Sequence, residues 1–459
     1  MHMERKKLHS PFTALYDEEN LPQKIRRSIM MMIFGNLFGN LWSTITSSGP
    51  ALTGLAAELG ANDFIYGVLT AIPCVGTLMQ IPAALLVSKT HKRKKYMLLY
   101  GTISRAVWLI IGLVPYFVPM DPSWLRIWSL IFLVGINSVF GSFINVCWTP
   151  WMADLVPIGI RGRWLAVRDR IISVISLTVG IGTAYILDII PGYKGYAIVL
   201  GIGSIFGIAD MLSFIGVENV PMKTDASAKI SDVFKKIFDN KPFVKFMIFW
   251  TIWCFTSNLS GSFYTRYALG DMALSNTEVT LAGNVASSII TMLIVPFWGR
   301  KLDFYGHKPI FWFAGLISAV TPLIWLMASP GSMWVMLLYN LVANAFLCAV
   351  NLASQTSLLS YATDDQRPNY IAIYSCFTSL LGSFLGTLTG GAVLQTMQDS
   401  FIANNIALDH YKIIFVVSAV LRLVVILIFV PRITNNREFE MTDLWKDFKK
   451  SVKKLVSAK

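Results

Sequence analysis

The ten residues Gly299-Arg300-Lys301-Leu302-Asp303-Phe304-Tyr305-Gly306-His307-Lys308 form a short charged loop between two long apolar stretches, 278–299 and 308–328. An apolar stretch of about 20 residues can cross the roughly 30 Å hydrocarbon core of a bilayer as a single helix. Glycine allows the tight backbone turns that a short connection requires. The sequence therefore predicts two membrane-spanning helices joined by a sharp, charged turn.

The same alternation of apolar stretch and polar loop runs along the whole chain. Of the 459 residues, 54% are hydrophobic and only 14% are charged, whereas soluble domains have about 25% charged residues. We predict an all-α membrane protein in which two pseudo-symmetric bundles of six helices provide twelve spans, at 29–57, 64–88, 96–118, 124–149, 164–189, 195–217, 243–269, 278–299, 308–328, 332–359, 369–397 and 411–431.

Polar segments separate and flank the two predicted bundles, which occupy residues 29–217 and 243–431. Residues 1–28 form an N-terminal segment, 218–242 a linker, and 432–459 a basic tail with an amphipathic helical pattern. Such a helix can lie on an anionic inner leaflet. A solvated helix without a specific contact fits the same pattern, and the sequence leaves both interpretations open.

The net charge of +13 follows the predicted topology. With twelve spans, both termini lie on one side of the membrane, and the segments on that side hold all but six of the 39 lysines and arginines, the exceptions being Arg105, Arg126, Lys194, Arg266, Lys412 and Arg422. Basic residues are enriched in cytoplasmic loops. We therefore predict a multi-pass protein of the cell membrane with both termini in the cytoplasm, and no nucleic-acid partner.

The two halves share local sequence features. The segment from Pro150 to Trp164 is matched, 206 residues later, by the segment from Ser357 to Tyr370. A degraded copy of the 299–308 loop occurs at 84–93, between the second and third spans. Internal repeats of this kind are common in transporters, where the binding site lies between the repeats.

With these features the chain resembles the major facilitator superfamily of secondary transporters. That family carries a cytoplasmic loop of the form Gly-x-Leu-x-Asp-Arg-x-Gly-x-Lys/Arg after its second and eighth helices. The four matching positions here are Gly299, Asp303, Gly306 and Lys308, while Lys301 and Phe304 depart from the pattern and Ser88 replaces the acid in the first copy.

The resemblance implies a gating role for this loop. Asp303 is expected to meet the start of the fifth helix, near Arg161 and Arg163, when the cytoplasmic mouth is closed. A carboxylate is stabilised at the positive N-terminal end of a helix. The alternative is that the loop only anchors the topology, and that alternative stays open.

Polar side chains form stripes on helices 1, 4, 7 and 10, which line the central cavity in the family. On helix 10, for example, Asn340, Asn344, Asn351 and Gln355 share one face. Polar residues inside spans face a wet cavity or hydrogen-bond to a neighbouring helix. The full set of substrate-binding candidates is Asn36, Asn40, Asn137, Asn145, Trp148, Asn258, Asn340, Asn344, Asn351 and Gln355.

Amides both donate and accept hydrogen bonds, so these stripes favour a small neutral or weakly charged polar solute such as a sugar, glycoside or nucleoside. The neighbouring tryptophans Trp42, Trp148, Trp250 and Trp253 offer indole faces to sugar rings or planar ligands. Tryptophan is also common at membrane interfaces. The leading hypothesis is a secondary transporter working by alternating access, coupled to a proton or another cation.

Few charged residues lie deep within the predicted spans. Arg105 and Asp210 sit at similar depth and are expected to form a structural ion pair, although Asp210 could instead carry the coupling proton. Arg266 could meet an anionic group of the substrate or reach the interface, and Arg422 lies in helix 12. Ionisable residues inside a membrane usually have a partner or a function.

No pattern of a catalytic or metal site stands out, so we expect neither an enzyme nor a bound metal or cofactor. There is no GxxxxGK[ST] phosphate loop, and the five histidines are scattered. The expected partners are a small-molecule substrate, a coupling proton or cation and membrane lipid, and the protein is expected to be a monomer. A multidrug exporter and a non-transporting sensor or scaffold are the alternative functions.

Overall fold

The computed structural model describes residues 22–434, except residues 48, 123, 221–236, 363–366 and 405–408. Most of the predicted N-terminal segment, the centre of the linker and nearly all of the basic tail lie outside the described residues. Within the described residues all regular structure is helical. The predicted all-α membrane protein is therefore confirmed.

Twelve long helices follow one another along the chain. They are α1 Gln23–Thr46, α2 Asp63–Thr90, α3 Arg93–Phe117, α4 Trp124–Leu155, α5 Ile158–Ile189, α6 Tyr193–Gly216, α7 Lys241–Gly261, α8 Asn276–Tyr305, α9 His307–Met327, α10 Met333–Tyr361, α11 Asn369–Ala403 and α12 His410–Arg432.

Ten of these helices, all except α1 and α7, are long and apolar enough to cross a membrane. Both exceptions have lysines near their first turn and hydroxyl or amide side chains further along, which lowers their hydropathy. They are the first helices of the two predicted bundles. The twelve-span prediction is thus supported for ten helices by length and composition, and the other two are long enough but more polar.

The structure breaks several predicted spans. The predicted span 29–57 ends at Thr46 and restarts as the short helix Ala51–Glu58, because Gly49 and Pro50 interrupt it. The predicted span 243–269 likewise divides at Gly261 and continues as Tyr264–Leu269. Inside α8 and α11, the segments Leu281–Val285 and Thr378–Phe384 are π-helical.

Each half packs around its own apolar core. In the first half, Trp151 and Trp164 are buried with Phe214 near the start of α1. In the second half, Phe246 and Phe311 belong to a core of α7, α9, α10 and α12. A third core joins the halves, with Tyr66 of α2 against Phe263, which follows α7, at a ring-centroid distance of 5.8 Å.

The two ends of the bundle are named here by the chain termini. The tail side is the end where α1 begins and α12 ends, and the far side is the opposite end. On the tail side, Trp151 Nε1 donates to Glu218 O at 2.9 Å and Lys308 Nζ donates to Pro431 O at 2.9 Å. Both contacts stay within one half of the chain.

Candidate functional site

A buried carboxylate on the far side joins the two halves. Asp63, the first residue of α2, is 2% exposed. Its Oδ1 accepts from Arg266 Nε at 2.6 Å and from Tyr411 OH at 2.6 Å, and its Oδ2 lies 3.3 Å from His410 Nε2. These four residues form the Asp63 cluster, in which one acid from the first half holds a cation and two polar rings from the second.

The local sequence explains why Asp63 can sit there. Asn62 caps α2 by accepting from Ile65 N at 2.8 Å, and Asp63 follows in the positive first turn. One turn further, Gly67 lies against Gly391 of α11, where a Cβ added to Gly391 would come within 3.1 Å of the Gly67 Cα. The glycines let the backbones of α2 and α11 approach closely, and the Asp63 cluster lies at the far-side end of this contact, here called the glycine seam.

A second acid closes the far side at a different pair of helices. Near the end of α5, Asp188 Oδ1 accepts from Asn276 N at 2.8 Å and from Asn276 Nδ2 at 2.9 Å, while its Oδ2 accepts from Thr277 N at 2.9 Å. Asn276 and Thr277 are the first residues of α8. This Asp188 clamp is an acid at a helix N-terminus, an arrangement that electrostatics favours.

Above these contacts lies a polar vestibule of about 430 Å³ that opens to the far side. It is lined by charged residues of both halves, among them Glu58, Asp63, Arg266, Asp271 and His410. In the loop between the short helix Tyr264–Leu269 and α8, burial and the nearby charge of Asp409 raise the pKa of Asp271 above its ordinary value. The vestibule is thus rich in acids and ends at the Asp63 cluster.

The contacts that join the halves have so far all come from the far side. The hydrogen bonds and ion pairs identified between the described parts of the two halves lie at the far side. Asp303 is exposed, and no hydrogen bond or ion pair joins it to any described residue. Among the described residues, the expected contact of Asp303 with the start of α5 is therefore absent.

The other residues of the predicted gating loop have local roles. Gly306 adopts φ +79°, a left-handed conformation that favours glycine, between α8 and α9. Gly299 has open space where a side chain would be, and Lys308 binds Pro431 O. Arg161 Nη2 caps the end of α4 by donating to Ala153 O at 2.6 Å, whereas the Arg163 side chain is exposed on α5.

Between the halves, on the tail side of the Asp188 clamp, is a polar cavity of about 310 Å³. Helices α1, α5 and α8 contribute its walls. Uncharged side chains line it, and these are Asn40, Thr44, Ile172, Ser173, Ser176, Leu177, Thr280, Asn284, Val285, Ser287 and Ser288 together with the backbone of Gly180.

Helix α10 supports this wall from behind. Asn344 Nδ2 donates to Ser287 Oγ at 2.8 Å, and Ser287 Oγ donates to Asn340 Oδ1 at 3.1 Å. Asn340 and Asn344 therefore fix a cavity side chain, although they do not themselves line the cavity. Of the ten predicted substrate-binding residues, the structure brings Asn40, Asn340 and Asn344 together here.

The remaining candidates lie elsewhere. Asn137 accepts from Ser104 Oγ of α3 at 2.8 Å, and Asn258 Nδ2 donates to Ser383 Oγ of α11 at 3.2 Å, so both form interhelical bonds. Asn36 Nδ2 bonds to Met32 O of its own helix. Trp148 lies beside Arg168, 5.3 Å from ring centroid to guanidinium. The remaining three, Asn145, Asn351 and Gln355, are exposed and have no hydrogen bond to a described residue.

The charged residues within the helices have identifiable partners. Arg105 Nη2 lies 3.1 Å from Asp210 Oδ2, and the Arg105 guanidinium lies 3.5 Å from the ring centroid of Trp42. Arg422 Nη2 donates to Ser257 O at 3.1 Å within the second half. Arg266, for which sequence analysis left open an anionic substrate group or the interface, is paired with Asp63 in this conformation and lines the vestibule.

Removing the charge of Asp188 should loosen the far side. In Asp188→Asn, one carboxylate oxygen is replaced by an NH2 group, which cannot accept a hydrogen bond from α8. The N-terminus of α8 also loses the negative charge beside it. A cap of this kind contributes about 1 kcal/mol, which corresponds to a several-fold larger population open to the far side. The measurement uses a cysteine introduced at the cavity wall by Thr44→Cys, in the parent and in Asp188→Asn. An impermeant thiol reagent added from the far side should label this cysteine faster in Asp188→Asn.

Asp121→Asn is the matched control, because Asp121 is an exposed far-side acid in the loop after α3. Its labelling rate should equal that of the parent. An equal rate in Asp188→Asn as well would mean that the clamp does not hold the halves together.

Sequence reasoning did not identify Asp63, Asp188 or Ser287. Asp63 and Asp188 stand at the ends of apolar stretches, where acids are ordinary interfacial residues. The one available signal was the pair Asn62-Asp63, a helix-start pattern. It predicts a cap, but it gives no information about the partner from the other half.

Comparison with known proteins agrees with this architecture. The sequence profile of the Major Facilitator Superfamily matches residues 31–283 and 255–455. No curated protein matches the sequence significantly.

Among solved structures, a bacterial homolog of the human lysosomal transporter Spinster, inward-facing and unoccupied, has 14% identity and a TM-score of 0.67 over 91% of this chain and 100% of that one. A point mutant of the nucleoside transporter NupG has 13% identity and a TM-score of 0.66, over 90% and 100%. The inward-open xylose transporter XylE from E. coli has 14% identity and a TM-score of 0.62, over 91% and 98%. At such identities the likeness shows the fold.

Proposed function

Since the chain belongs to the Major Facilitator Superfamily, and is thus a multi-pass membrane transporter, we propose that it moves a small neutral or weakly charged polar solute by alternating access. The observation that carries this proposal is the set of contacts that join the halves at the far side. These are the Asp63 cluster and the Asp188 clamp, and an uncharged cavity lined by both halves lies on the tail side of the clamp. Rocking the halves would break these contacts and expose the cavity to the other side.

The excess of basic residues supports a cytoplasmic tail side. The conformation described here would then be inward-facing, and the protein would reside in a plasma or inner membrane as a monomer. The tail, rich in lysine, would lie on anionic lipid. We propose coupling to a proton or cation, since the chain contains no phosphate loop for ATP.

The solute class follows from hydrogen-bonding capacity. The amide and hydroxyl groups of the lining suit sugars, glycosides or nucleosides. A multidrug exporter would be favoured by an acid that faces the cavity, and the described lining contains none. Saturable flux would exclude a non-transporting sensor or scaffold.

The test is uptake by purified protein in liposomes. Labelled sugars, glycosides and nucleosides would be presented with and without an inward proton gradient. Saturable uptake of one class, stimulated by the gradient, is the expected result. Uptake of lipophilic cations alone would support drug export instead, and the absence of any flux would contradict a transporter of these solutes.

The variant Asn344→Ala should weaken binding about tenfold. Without its amide, Ser287 loses a donor that fixes its hydroxyl at the cavity wall, and one hydrogen bond contributes about 1 kcal/mol or slightly more. The measurement is the ligand-induced rise in melting temperature and the KM of uptake.

Asn137→Ala is the matched control, because Asn137 faces α3 rather than the cavity. It should lower the stability of the protein without changing the ligand-induced shift. Equal effects of both variants on binding would contradict the assignment of the cavity.

A further inference from the structure

The charge, side-chain types and volume of the polar cavity restrict the class of solute more narrowly than its amide groups alone do. No charged residue is among its described lining residues. The nearest charged side chains along α5 are Arg168, Asp169 and Arg170, which lie within about one turn of the lining toward the tail side. Arg168 Nη2 binds Asp169 Oδ1 at 2.7 Å, and Arg170 is exposed. A charged solute would therefore have no counter-charge in the cavity.

Aromatic side chains are also missing from the described lining of the cavity. The four tryptophans that sequence analysis placed near it lie elsewhere. Trp42 packs on Arg105, Trp148 lies beside Arg168, and Trp250 and Trp253 belong to the buried core of the second half. Binding of a nucleobase or an aryl aglycone would thus lack a stacking surface.

Two buried hydroxyl groups of the lining have no hydrogen-bond partner in the described structure. Ser176 Oγ on α5 and Thr280 Oγ1 on α8 are both shielded from solvent, and Thr280 is only 2% exposed. Buried polar groups without partners are destabilising. Rotation about one side-chain bond turns each hydroxyl. Because one comes from each half, a solute with several hydroxyls could satisfy both and bridge the halves.

The size of the cavity sets a further limit. Its volume of about 310 Å³ lies at the lower end of the roughly 300–1,000 Å³ that is usual for small-molecule sites. A solute with one ring fits such a volume better than a glycoside with two.

We infer that the solute is a small uncharged polyhydroxylated molecule with a single ring, such as a cyclic polyol or monosaccharide, and that Ser176 and Thr280 determine its specificity. The inference rests on the proposed transport function and deepens it. It excludes the nucleosides and larger glycosides that the amide stripes alone would admit.

The test compares uptake of myo-inositol, D-glucose, uridine and phenyl β-glucoside by the full-length protein in liposomes. Saturable uptake of myo-inositol or D-glucose, but not of uridine or the glucoside, is expected.

The variants Ser176→Ala and Thr280→Val should each raise the KM for the transported solute about five- to twentyfold. The controls are Ser318→Ala and Thr251→Val, since both residues have buried, unpartnered hydroxyls outside this lining, and their KM should stay within twofold of the parent.

Deoxy analogues of the transported solute identify the contact itself. For the analogue that lacks the hydroxyl bound by Thr280, KM should already be raised, and Thr280→Val should change it no further. Saturable uptake of uridine or the glucoside would overturn the inference and leave the transporter proposal standing. Variants that behave like their controls would also overturn it, and the absence of flux with every solute would overturn both.

Discussion

Replacing Asp63 by alanine should open the far side of the protein. In the closed state the carboxylate is buried and receives Arg266 Nε, Tyr411 OH and His410 Nε2. Without it, the guanidinium of Arg266, which is half-buried at the edge of the vestibule, has no carboxylate partner. Breaking a buried ion pair by removing one partner costs about 3–5 kcal/mol. Because every 1.4 kcal/mol is about tenfold, the far-side-closed population should fall by two to three orders of magnitude.

The measurement is the distance between spin labels at Ala57 and Gln398, which lie on opposite halves around the vestibule. The distance distribution should move to longer values in Asp63→Ala, and uptake should fall because the cavity rarely faces the tail side. The exposed control Asp121→Ala should leave both readouts unchanged. If the distances of Asp63→Ala match those of the parent, then the glycine seam and the Asp188 clamp suffice for closure.

Replacing Asp210 by asparagine should destabilise the folded protein strongly. Asp210 and Arg105 are 3% and 7% exposed and lie 3.1 Å apart. The change leaves Arg105 charged in the interior, which again costs about 3–5 kcal/mol. Thermal unfolding in detergent should show the loss. The double variant Arg105→Met with Asp210→Leu should recover most of it, because a buried pair can be replaced by apolar side chains at little cost.

The same variants decide whether Asp210 carries the coupling proton. A structural pair predicts that the apolar double variant retains uptake driven by a proton gradient. If Asp210→Asn unfolds at the temperature of the parent but no longer responds to the gradient, Asp210 is the proton carrier and the structural interpretation is wrong.

The sequence predicts the helices well because their apolar length is a local property. It predicts their breaks less well. The apolar pattern of 29–57 continues across Gly49 and Pro50, and the π-helical segment of α8 has the same apolar composition as the α-helix around it. The amide stripes show a similar limit. A polar residue that faces a neighbouring helix has the same spacing as one that faces a cavity, so Asn137 and Asn340 could not be distinguished.

The sequence predicts the partner of a charged residue only where both residues lie inside predicted spans. Arg105 and Asp210 were paired because charges at that depth are rare. Asp63 and Asp188 stand at helix ends, where sequence alone cannot identify a partner more than 80 residues away. The preference of an acid for a helix N-terminus describes the Asp188 clamp on the far side, whereas sequence analysis applied it to Asp303 on the tail side.

The π-helical segment Leu281–Val285 also determines where α8 can lose a single residue without a change in its packing. A π-turn holds one more residue than an α-turn, so losing one codon there would leave an ordinary α-helix whose two flanks keep their faces. The same loss further along α8 would rotate everything after it by about 100°. Asn284 lies inside the tolerant stretch and lines the cavity. Single-residue deletions and insertions at this point could therefore exchange one solute contact for another while the Asp188 clamp and the α10 support stay in place.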